Sequence, residues 1–203
     1  MAVVKLTKNQ LRLEQIQLSQ LEKYLPTLQL KKAMLQTVVQ EVRTEILLLQ
    51  NHFHESRLIA TQSAGLLNER LGLNFKLAGK VKQVEKVYEN IAGVEIPVYK
   101  DIEFEPFEYS LFGTPAWIDG VVNELRMMVI ARIKVLIAEE KKRALEKELQ
   151  EVSIRVNLFE KSLIPKAKKN IKRIKVFLGD QELTAIGQAK VAKAKLEQRK
   201  NAH

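Results

Sequence analysis

The chain contains no cysteine among its 203 residues. Disulfide bonds, thiol catalysis and cysteine-ligated zinc or iron–sulfur centres are therefore excluded. No run of about 18 apolar residues occurs, so we expect no transmembrane segment. The first residues, MAVVKLTKNQLRLEQ, lack the apolar core of a signal peptide, and a cytoplasmic location is compatible with these absences.

Glycine, proline and aromatic residues are also scarce, and they are unevenly placed. Residues 1–64 and 121–178 each contain no glycine and a single proline, Pro26 and Pro165. Six of the eight glycines lie between residues 65 and 120. Because these residues interrupt helices, their distribution predicts two long helical segments on either side of a middle region.

The first segment carries a heptad repeat that starts at Leu11. Eleven of its fourteen a and d positions are apolar, over seven heptads, which is typical of a coiled coil. The exceptions are Glu14, Lys32 and Ser56. The apolar seam predicted in this segment includes Leu11, Leu18, Leu21, Leu25, Leu28, Leu35, Val39, Val42, Ile46 and Leu49.

The last segment has a seam of its own, with a slip in its spacing. The predicted residues are Leu149, Val152, Val156, Phe159, Leu163, Ile171 and Ile174, with Ala167 and Leu178 completing the pattern. The step from Leu163 to Ala167 is four residues where three is due, and Pro165 lies inside that step. Since proline bends helices, we expect Pro26 and Pro165 to mark places where the coil curves.

The two seams predict a mainly α fold. It is a long antiparallel two-helix coiled coil formed by the N- and C-terminal segments, with a small β-hairpin in the middle. The predicted parts are a coiled-coil helix (1–70), a middle region (71–118), a second coiled-coil helix (119–178) and a basic, mobile tail (179–203). A compact helical bundle is the alternative, but neither long segment contains turn signals.

The middle region changes to a period of two. VEIPVY (94–99) and IEFEPFEY (102–109) alternate apolar and polar residues, and Lys100-Asp101 lies between them. We therefore predict a β-hairpin over about residues 94–109 with its turn at Lys100-Asp101. FGTPAWIDG (112–120) predicts a turn followed by a helix start, where Trp117 is either an interface anchor or a packing residue.

No motif for chemistry is present. The phosphate-binding loop, the dinucleotide fingerprint and the nucleophile elbow are all absent. His52 and His54 are two residues apart, so a helix points them to different faces and does not pair them as metal ligands. We predict no catalytic residue, no cofactor-binding residue and no metal site, and therefore no cofactor.

The net charge of +10 is concentrated at one end of the chain. Residues 161–203 hold twelve lysines and arginines against three acids, a net of +9, which leaves +1 for residues 1–160. A charge run is usually a solvated face, but such faces normally mix signs. An anionic partner is therefore expected: an acidic protein surface, nucleic acid or a lipid surface.

Two stretches resemble a known family. ENIAGVEIPVY (89–99) and RVNLFEKSLIP (155–165) are similar to the most characteristic stretches of the D subunit of the V-type and A-type rotary ATPases. The order of long helix, hairpin and long helix also resembles that family, over roughly residues 5–180. Near the start, LTKNQL and LQLKKAMLQ replace the usual family sequences, and the last residues also differ from the usual ending.

The resemblance implies a central-stalk rotor shaft. In that family the shaft couples ATP hydrolysis or synthesis in a catalytic head to ion translocation by a membrane ring. Its partners are the catalytic and noncatalytic head subunits, the small F subunit of the central stalk and an adaptor on the membrane ring. It binds no nucleotide directly and is cytoplasmic, peripheral to the membrane. The basic residues that would contact the bore of the head are Lys166, Lys168, Lys169, Lys172, Arg173 and Lys175.

One other function stays open on the residues alone. A basic coiled-coil adaptor that binds nucleic acid or an anionic membrane surface would also account for the C-terminal charge. It leaves the hairpin and the two family-like stretches without a role. Few aromatic residues accompany the basic run, whereas binding of single-stranded nucleic acid normally uses aromatic stacking.

Overall fold

The protein is mainly helical. The computed structural model describes residues 5–63, 75–109 and 115–201. In chain order the elements are α1 (Lys8–Ser63), the short α2 (Phe75–Ala78), β1 (Val81–Ile91), β2 (Val94–Phe104), α3 (Ile118–Leu158), a π turn (Phe159–Leu163) and α4 (Ile164–Asn201). The N-terminal and C-terminal helices pack together, and a two-stranded antiparallel hairpin lies between them in sequence. The predicted fold class is confirmed.

The chain forms two compact units. The terminal unit comprises Met1–Leu30 and Val152–His203, and the middle unit comprises Lys31–Glu151. In the terminal unit, α1 begins after Thr7, whose hydroxyl accepts a hydrogen bond from the Gln10 N–H at 3.2 Å. A threonine in this position satisfies one of the free N–H groups at a helix start. The α1 helix then continues through Pro26, which lies inside it.

The core of the middle unit is built from the facing sides of α1 and α3. From α1 come Leu35, Val39, Val42 and Ile46; from α3 come Ala131, Val135, Ala138 and Leu145; all are less than 9% exposed. The α3 residues follow spacings of four, three and seven, so they form one stripe on the helix. Ile96 of β2 is also fully buried, because the hairpin turns one face inward.

The hairpin differs from its predicted position. One continuous strand runs from Val94 to Phe104 and pairs with β1, with Ile91 opposite Val94. The turn is therefore at Ala92-Gly93, and the predicted turn at Lys100-Asp101 is wrong. Both turn residues have positive φ, 52° and 81°, as two-residue hairpin turns of the primed types require. The Asn90 side-chain carbonyl accepts a hydrogen bond from the Gly93 N–H at 2.9 Å.

A bulge explains the mistaken turn. The register shifts between Glu85, which pairs with Asp101, and Lys86, which pairs with Tyr99. Lys100 is therefore an extra residue on β2, and the alternation of side chains breaks there. The break in period at Lys100-Asp101 is real, but it marks a bulge and not a reversal of the chain.

The last helix is longer than predicted. The sequence divided residues 119–178 from a mobile tail, but α4 continues as a helix to Asn201. Residues 180–198 are exposed on all sides, which is why their weak apolar pattern gave no helix signal. The predicted boundary at residue 70 lies outside the described residues. No helix in the described part of the chain is long and apolar enough to cross a membrane.

Candidate functional site

The predicted seam residues all turn inward. Each of them is buried or half-buried. Those from Leu11 to Leu49 lie on α1, and those from Leu149 to Ile174 lie on α3, the π turn and α4. The most deeply buried are Leu35, Val152 and Ile174, each 0% exposed. Which seam residue contacts which partner stays a prediction. The burial supports a helix pair whose stability comes from an apolar stripe and not from a globular core.

A polar cluster interrupts the seam of the terminal unit. Glu14, at a predicted d position, is only 9% exposed. Its carboxylate accepts hydrogen bonds from the Asn170 side-chain amide at 3.2 Å and from the Gln10 amide at 3.4 Å. Since a buried carboxylate needs such partners, the exception in the heptad pattern is satisfied within the helix pair.

The slip in the second seam coincides with the π turn. The Ile164 N–H donates to the Phe159 carbonyl, five residues earlier. A π turn accommodates one more residue than an α turn. Beyond it, the buried positions are Ile164, Ala167, Ile171 and Ile174, so Ile164 begins a new seam one residue after Leu163. The sequence pattern predicts the slip, but the predicted seam does not include Ile164.

The basic residues form one exposed face of α4. Lys166, Lys168, Lys169, Lys172, Arg173 and Lys175 are all exposed. At about 100° per residue, they occupy the half of the helix opposite Ala167, Ile171 and Ile174. Only Lys168 among the six has an ion-pair partner in the described chain: its ammonium lies 2.9 Å from the Glu22 carboxylate. We call the other five the free basic face.

Polar contacts join the two helices of the terminal unit at several levels. Lys8 lies 3.5 Å from Glu182, and Glu22 pairs with Lys168. The Gln29 side-chain amide donates to the Glu160 carboxylate. Since residue numbers rise along one helix as they fall along the other, the helices run antiparallel. Exposed ion pairs contribute about 0–1 kcal/mol each, so these contacts set alignment more than stability.

In the middle unit, α1 and α3 are joined in the same antiparallel sense. Lys31 pairs with Glu148 at 2.6 Å, and Arg43 pairs with Glu146 at 2.8 Å. Lys141 pairs with Glu45 at 3.0 Å. The basic partner is on α1 in the first two pairs and on α3 in the third. This alternation disfavours sliding of one helix along the other, because a shift would bring like charges together.

The hairpin is attached to α3 by cationic side chains. The Lys134 ammonium lies 5.2 Å from the centre of the Tyr99 ring, and the Arg126 guanidinium lies 5.2 Å from the centre of the Phe104 ring. Lys86 pairs with Glu140 at 2.6 Å. Burial, and then the Asp101 charge, raises the pKa of Tyr99. A single isolated hairpin is marginally stable, so these contacts to α3 are needed.

An aromatic cluster closes the base of the hairpin. Trp117 stacks with Phe75 at 6.5 Å between ring centres, and Phe107 contacts Tyr109 at 5.4 Å. These rings pack against buried residues of α2 and α3, including Ile118. Of the two roles considered for Trp117, the structure supports packing at a helix start.

The described residues offer little for chemistry. No group of three or more histidines and acids in residues 5–63, 75–109 and 115–201 is arranged to hold a metal. A cavity of about 110 Å³ between hairpin and helices is lined by residues including Glu45, Tyr99, Lys134 and Lys141. It is small beside ligand pockets of about 300–1,000 Å³, and the larger concave regions, of about 380–470 Å³ along α4 and beside the hairpin turn, are grooves open to solvent. Surfaces, and not cavities, are the candidate functional features.

Comparisons with known proteins identify the family. Residues 10–194 match the family model that describes the D subunit of ATP synthase. The chain belongs to this family of ATP synthase D subunits. A relative from Chlamydia abortus, named as the D subunit of V-type ATP synthase, is 46% identical over 198 residues, which covers 97% of this chain and 95% of the relative. Relatives of the same name from Chlamydia felis and Chlamydia pneumoniae are 46% and 40% identical with the same coverage.

Membership of this family accounts for both family-like stretches. ENIAGVEIPVY contains the Ala92-Gly93 turn and half of the hairpin. RVNLFEKSLIP contains the whole π turn and Pro165. The functional features that sequence reasoning missed were the upstream seam at Ala131, Val135 and Ala138 and the buried role of Glu14. The first had a signal in its spacing, which the charged Lys142 interrupts.

Proposed function

We propose that this chain is the central rotor shaft of a V-type rotary ATPase. In this proposal it couples ATP hydrolysis or synthesis in a catalytic head to ion translocation by a membrane ring. The observation that carries the proposal is the near full-length similarity to proteins named as D subunits of V-type ATP synthase. The antiparallel pairing of long helices supports it, because such a pair can transmit torque without a globular core.

The chain acts as a non-catalytic component in this proposal. Its partners are the catalytic and noncatalytic head subunits, the small F subunit of the stalk and the adaptor on the membrane ring. It is located in the cytoplasm, peripheral to the membrane. The chain provides alignment and stiffness, and the head subunits provide the nucleotide chemistry.

The free basic face is proposed to contact the bore of the head. Lys166, Lys169, Lys172, Arg173 and Lys175 present charge without a partner in the described chain. Their positions opposite the seam leave them available to an encircling partner. Individually weak ion pairs suit a rotor, since strong contacts would hold it in one orientation.

Reconstitution tests the shaft role directly. The full chain is mixed with the hexameric head from the same cell and analysed by native mass spectrometry at low and at physiological salt. One copy per hexamer that survives physiological salt is the expected result. The proposal would be contradicted if the chain fails to bind the head and instead binds DNA in a salt-sensitive way. In that case the affinity for DNA should fall with salt concentration with a slope that corresponds to several released counterions, and the basic adaptor would be favoured.

A charge reversal separates the basic face from the rest of the shaft. The variant Lys166→Glu, Lys169→Glu, Lys172→Glu keeps Lys168, because that residue pairs with Glu22 inside the chain. We expect weaker assembly or less ATP-driven ion pumping per ATP hydrolysed. Wild-type coupling in this variant would refute the role of the face.

The matched control reverses the same number of charges elsewhere. Lys23, Arg57 and Lys147 are exposed and lie away from the basic face in sequence, so Lys23→Glu, Arg57→Glu, Lys147→Glu has the same net charge. We expect its coupling to stay close to that of the wild type. Equal losses in both variants would assign the effect to net charge and not to the face.

A further inference from the structure

The two helix-interior prolines lie at the same level of the terminal unit. On α1, Pro26 lies between Glu22 and Gln29. The partners of those two residues are Lys168 and Glu160, and Pro165 lies between them. Two cross-helix contacts therefore bracket both prolines, one contact on each side.

Both helices lose a hydrogen bond at this level. Pro26 cannot donate to the Glu22 carbonyl, and Pro165 cannot donate to the Lys161 carbonyl. Near Pro26, the Thr27 hydroxyl donates to the Tyr24 carbonyl at 2.7 Å. Near Pro165, the π turn replaces the usual bonds by the longer-range bond from Ile164 to Phe159. Each helix therefore has fewer regular backbone hydrogen bonds at this level than an uninterrupted α-helix.

The π turn also has a phase function. Upstream, the seam follows Val152, Val156, Phe159 and Leu163; downstream, it follows Ile164, Ala167, Ile171 and Ile174. Without an inserted residue, the upstream seam would continue to Lys166 and Asn170. The extra residue in the π turn restores the apolar stripe to the side that faces α1, and it widens the helix where the Pro165 ring would otherwise meet a carbonyl.

We propose that Pro26, Pro165 and the π turn form one compliant joint in the helix pair. At this joint the π turn absorbs one residue, and both helices open more readily than their flanking turns. In the proposed rotor, this is where the shaft would yield first under torque. The joint rests on contacts inside the chain, so its test does not depend on the rotor function.

A set of variants in the π turn and α4 tests whether the effects of the π turn and of Pro165 depend on each other. Ser162 is exposed and lies inside the π turn. We expect deletion of Ser162 to lower the melting temperature of the full chain, because Pro165 then meets a regular helix. Pro165→Ala alone retains the π turn, which already replaces the usual helical bonds at this level, so it should change the melting temperature little. The combined variant makes a regular helix with both seams in phase, and it should melt no lower than the wild type.

The same cycle on α1 is the matched control. Ser19 is exposed and lies in a regular part of α1, with no π turn to remove. Deletion of Ser19 should lower the melting temperature whether or not Pro26 is replaced by alanine. Pro26→Ala alone should raise it by about 5 °C or more, since it restores a helical bond. The changes in melting temperature caused by the two changes in α1 should therefore add, whereas those caused by the two changes in the π turn and α4 should not.

Hydrogen exchange measures the compliance. In the wild-type chain, amides of residues 160–164 and 27–30 should exchange faster than those of residues 152–156 and 18–22. Residues 160–164 should become as protected as their flanks in the variant that lacks Ser162 and carries Pro165→Ala. The proposal is overturned if wild-type protection is uniform across these segments, or if that variant melts as early as the one that lacks Ser19 and carries Pro26→Ala.

Discussion

The hydrogen bond between the buried Glu14 carboxylate and the Asn170 side chain allows us to predict how much its removal lowers the free energy of unfolding. Glu14 is 9% exposed and receives one bond from Asn170 at 3.2 Å and a longer one from Gln10 at 3.4 Å. In the variant Asn170→Leu, the carboxylate keeps only the Gln10 bond. A buried acceptor that loses a partner costs about 1–3 kcal/mol, and because Glu14 is charged we expect about 2–3 kcal/mol.

Substitution of the other partner, Glu14, should change the free energy of unfolding less. Glu14→Leu leaves the Asn170 amide without this acceptor, at a cost of about 1–2 kcal/mol. It also places a leucine in the apolar stripe, which stabilises by about 1.5–3 kcal/mol when the side chain is fully buried. The two terms nearly cancel, so Glu14→Leu should leave the free energy of unfolding close to its wild-type value.

The double variant decides whether the pair is coupled. Replacing a buried ion pair by packed apolar residues is often neutral or stabilising by about 1–4 kcal/mol, and we expect the same of this pair, which holds one charge. The double variant should therefore be at least as stable as the wild type, although the single variants add up to a loss of about 2–3 kcal/mol. The resulting coupling is about 2–3 kcal/mol or more. The same variant removes the polar residue that fixes the register of the two helices, and we expect other registers of the helix pair to be populated more often.

Denaturant unfolding followed by circular dichroism at 222 nm measures each corner of this cycle. A control cycle with Gln15→Leu and Lys169→Leu uses exposed neighbours of the same two residues, and its effects should add. Additivity within about 0.5 kcal/mol for Glu14 and Asn170 would refute the reasoning, because it would mean that the carboxylate does not depend on the amide.

Three further predictions concern the middle unit. Leu145→Ala, at a fully buried position, should destabilise by about 2–5 kcal/mol, whereas Leu48→Ala, 70% exposed, should change stability by less than about 0.5 kcal/mol; equal effects in denaturant unfolding would contradict the core assignment. Gly93→Ala forces an L side chain to a φ of 81° and should destabilise by about 1–2 kcal/mol, whereas Gly120→Ala, in a helix with open space around it, should stabilise by up to about 1 kcal/mol; the same sign in both would refute the turn geometry. The hydrogen bond to the Glu85 carboxylate raises the pKa of Lys100. The contribution of Lys100 to stability is therefore fully present below its ordinary pKa and is lost as the pH rises through its pKa in the folded chain. Lys100→Met should reduce the loss of thermal stability above about pH 10, and an unchanged loss would exclude Lys100 as its source.

Local pattern was enough to predict the two long helices. Heptad spacing over seven repeats is a signal that depends only on neighbouring residues, and the residues it selected on α1, from Leu11 to Leu49, are buried or half-buried. The slip at Pro165 was also visible in the sequence. Its structural form was not, because a one-residue slip can be absorbed by a bend, a loop or a π turn.

The hairpin shows where local pattern failed. Alternation across residues 94–109 predicted strands, but it did not show that 94–104 is one strand or that its partner is Val81–Ile91. The partner strand VKQVEKVYENI alternates poorly, with most of its residues exposed. Pairing is a contact between segments, and a break in alternation looks the same for a bulge as for a turn.

The sequence by itself determined the helical class, the antiparallel pairing of the two ends and the concentration of positive charge, because each depends on the order of residues along the chain. Only the tertiary structure decided which polar residues are buried, which basic residues lack an ion-pair partner within the described part of the chain, and where the two prolines lie relative to each other. Those properties depend on what stands opposite each residue. Glu14 is the clearest case: a charged residue in an apolar repeat reads as a fault until Asn170, far away in sequence, is placed against it.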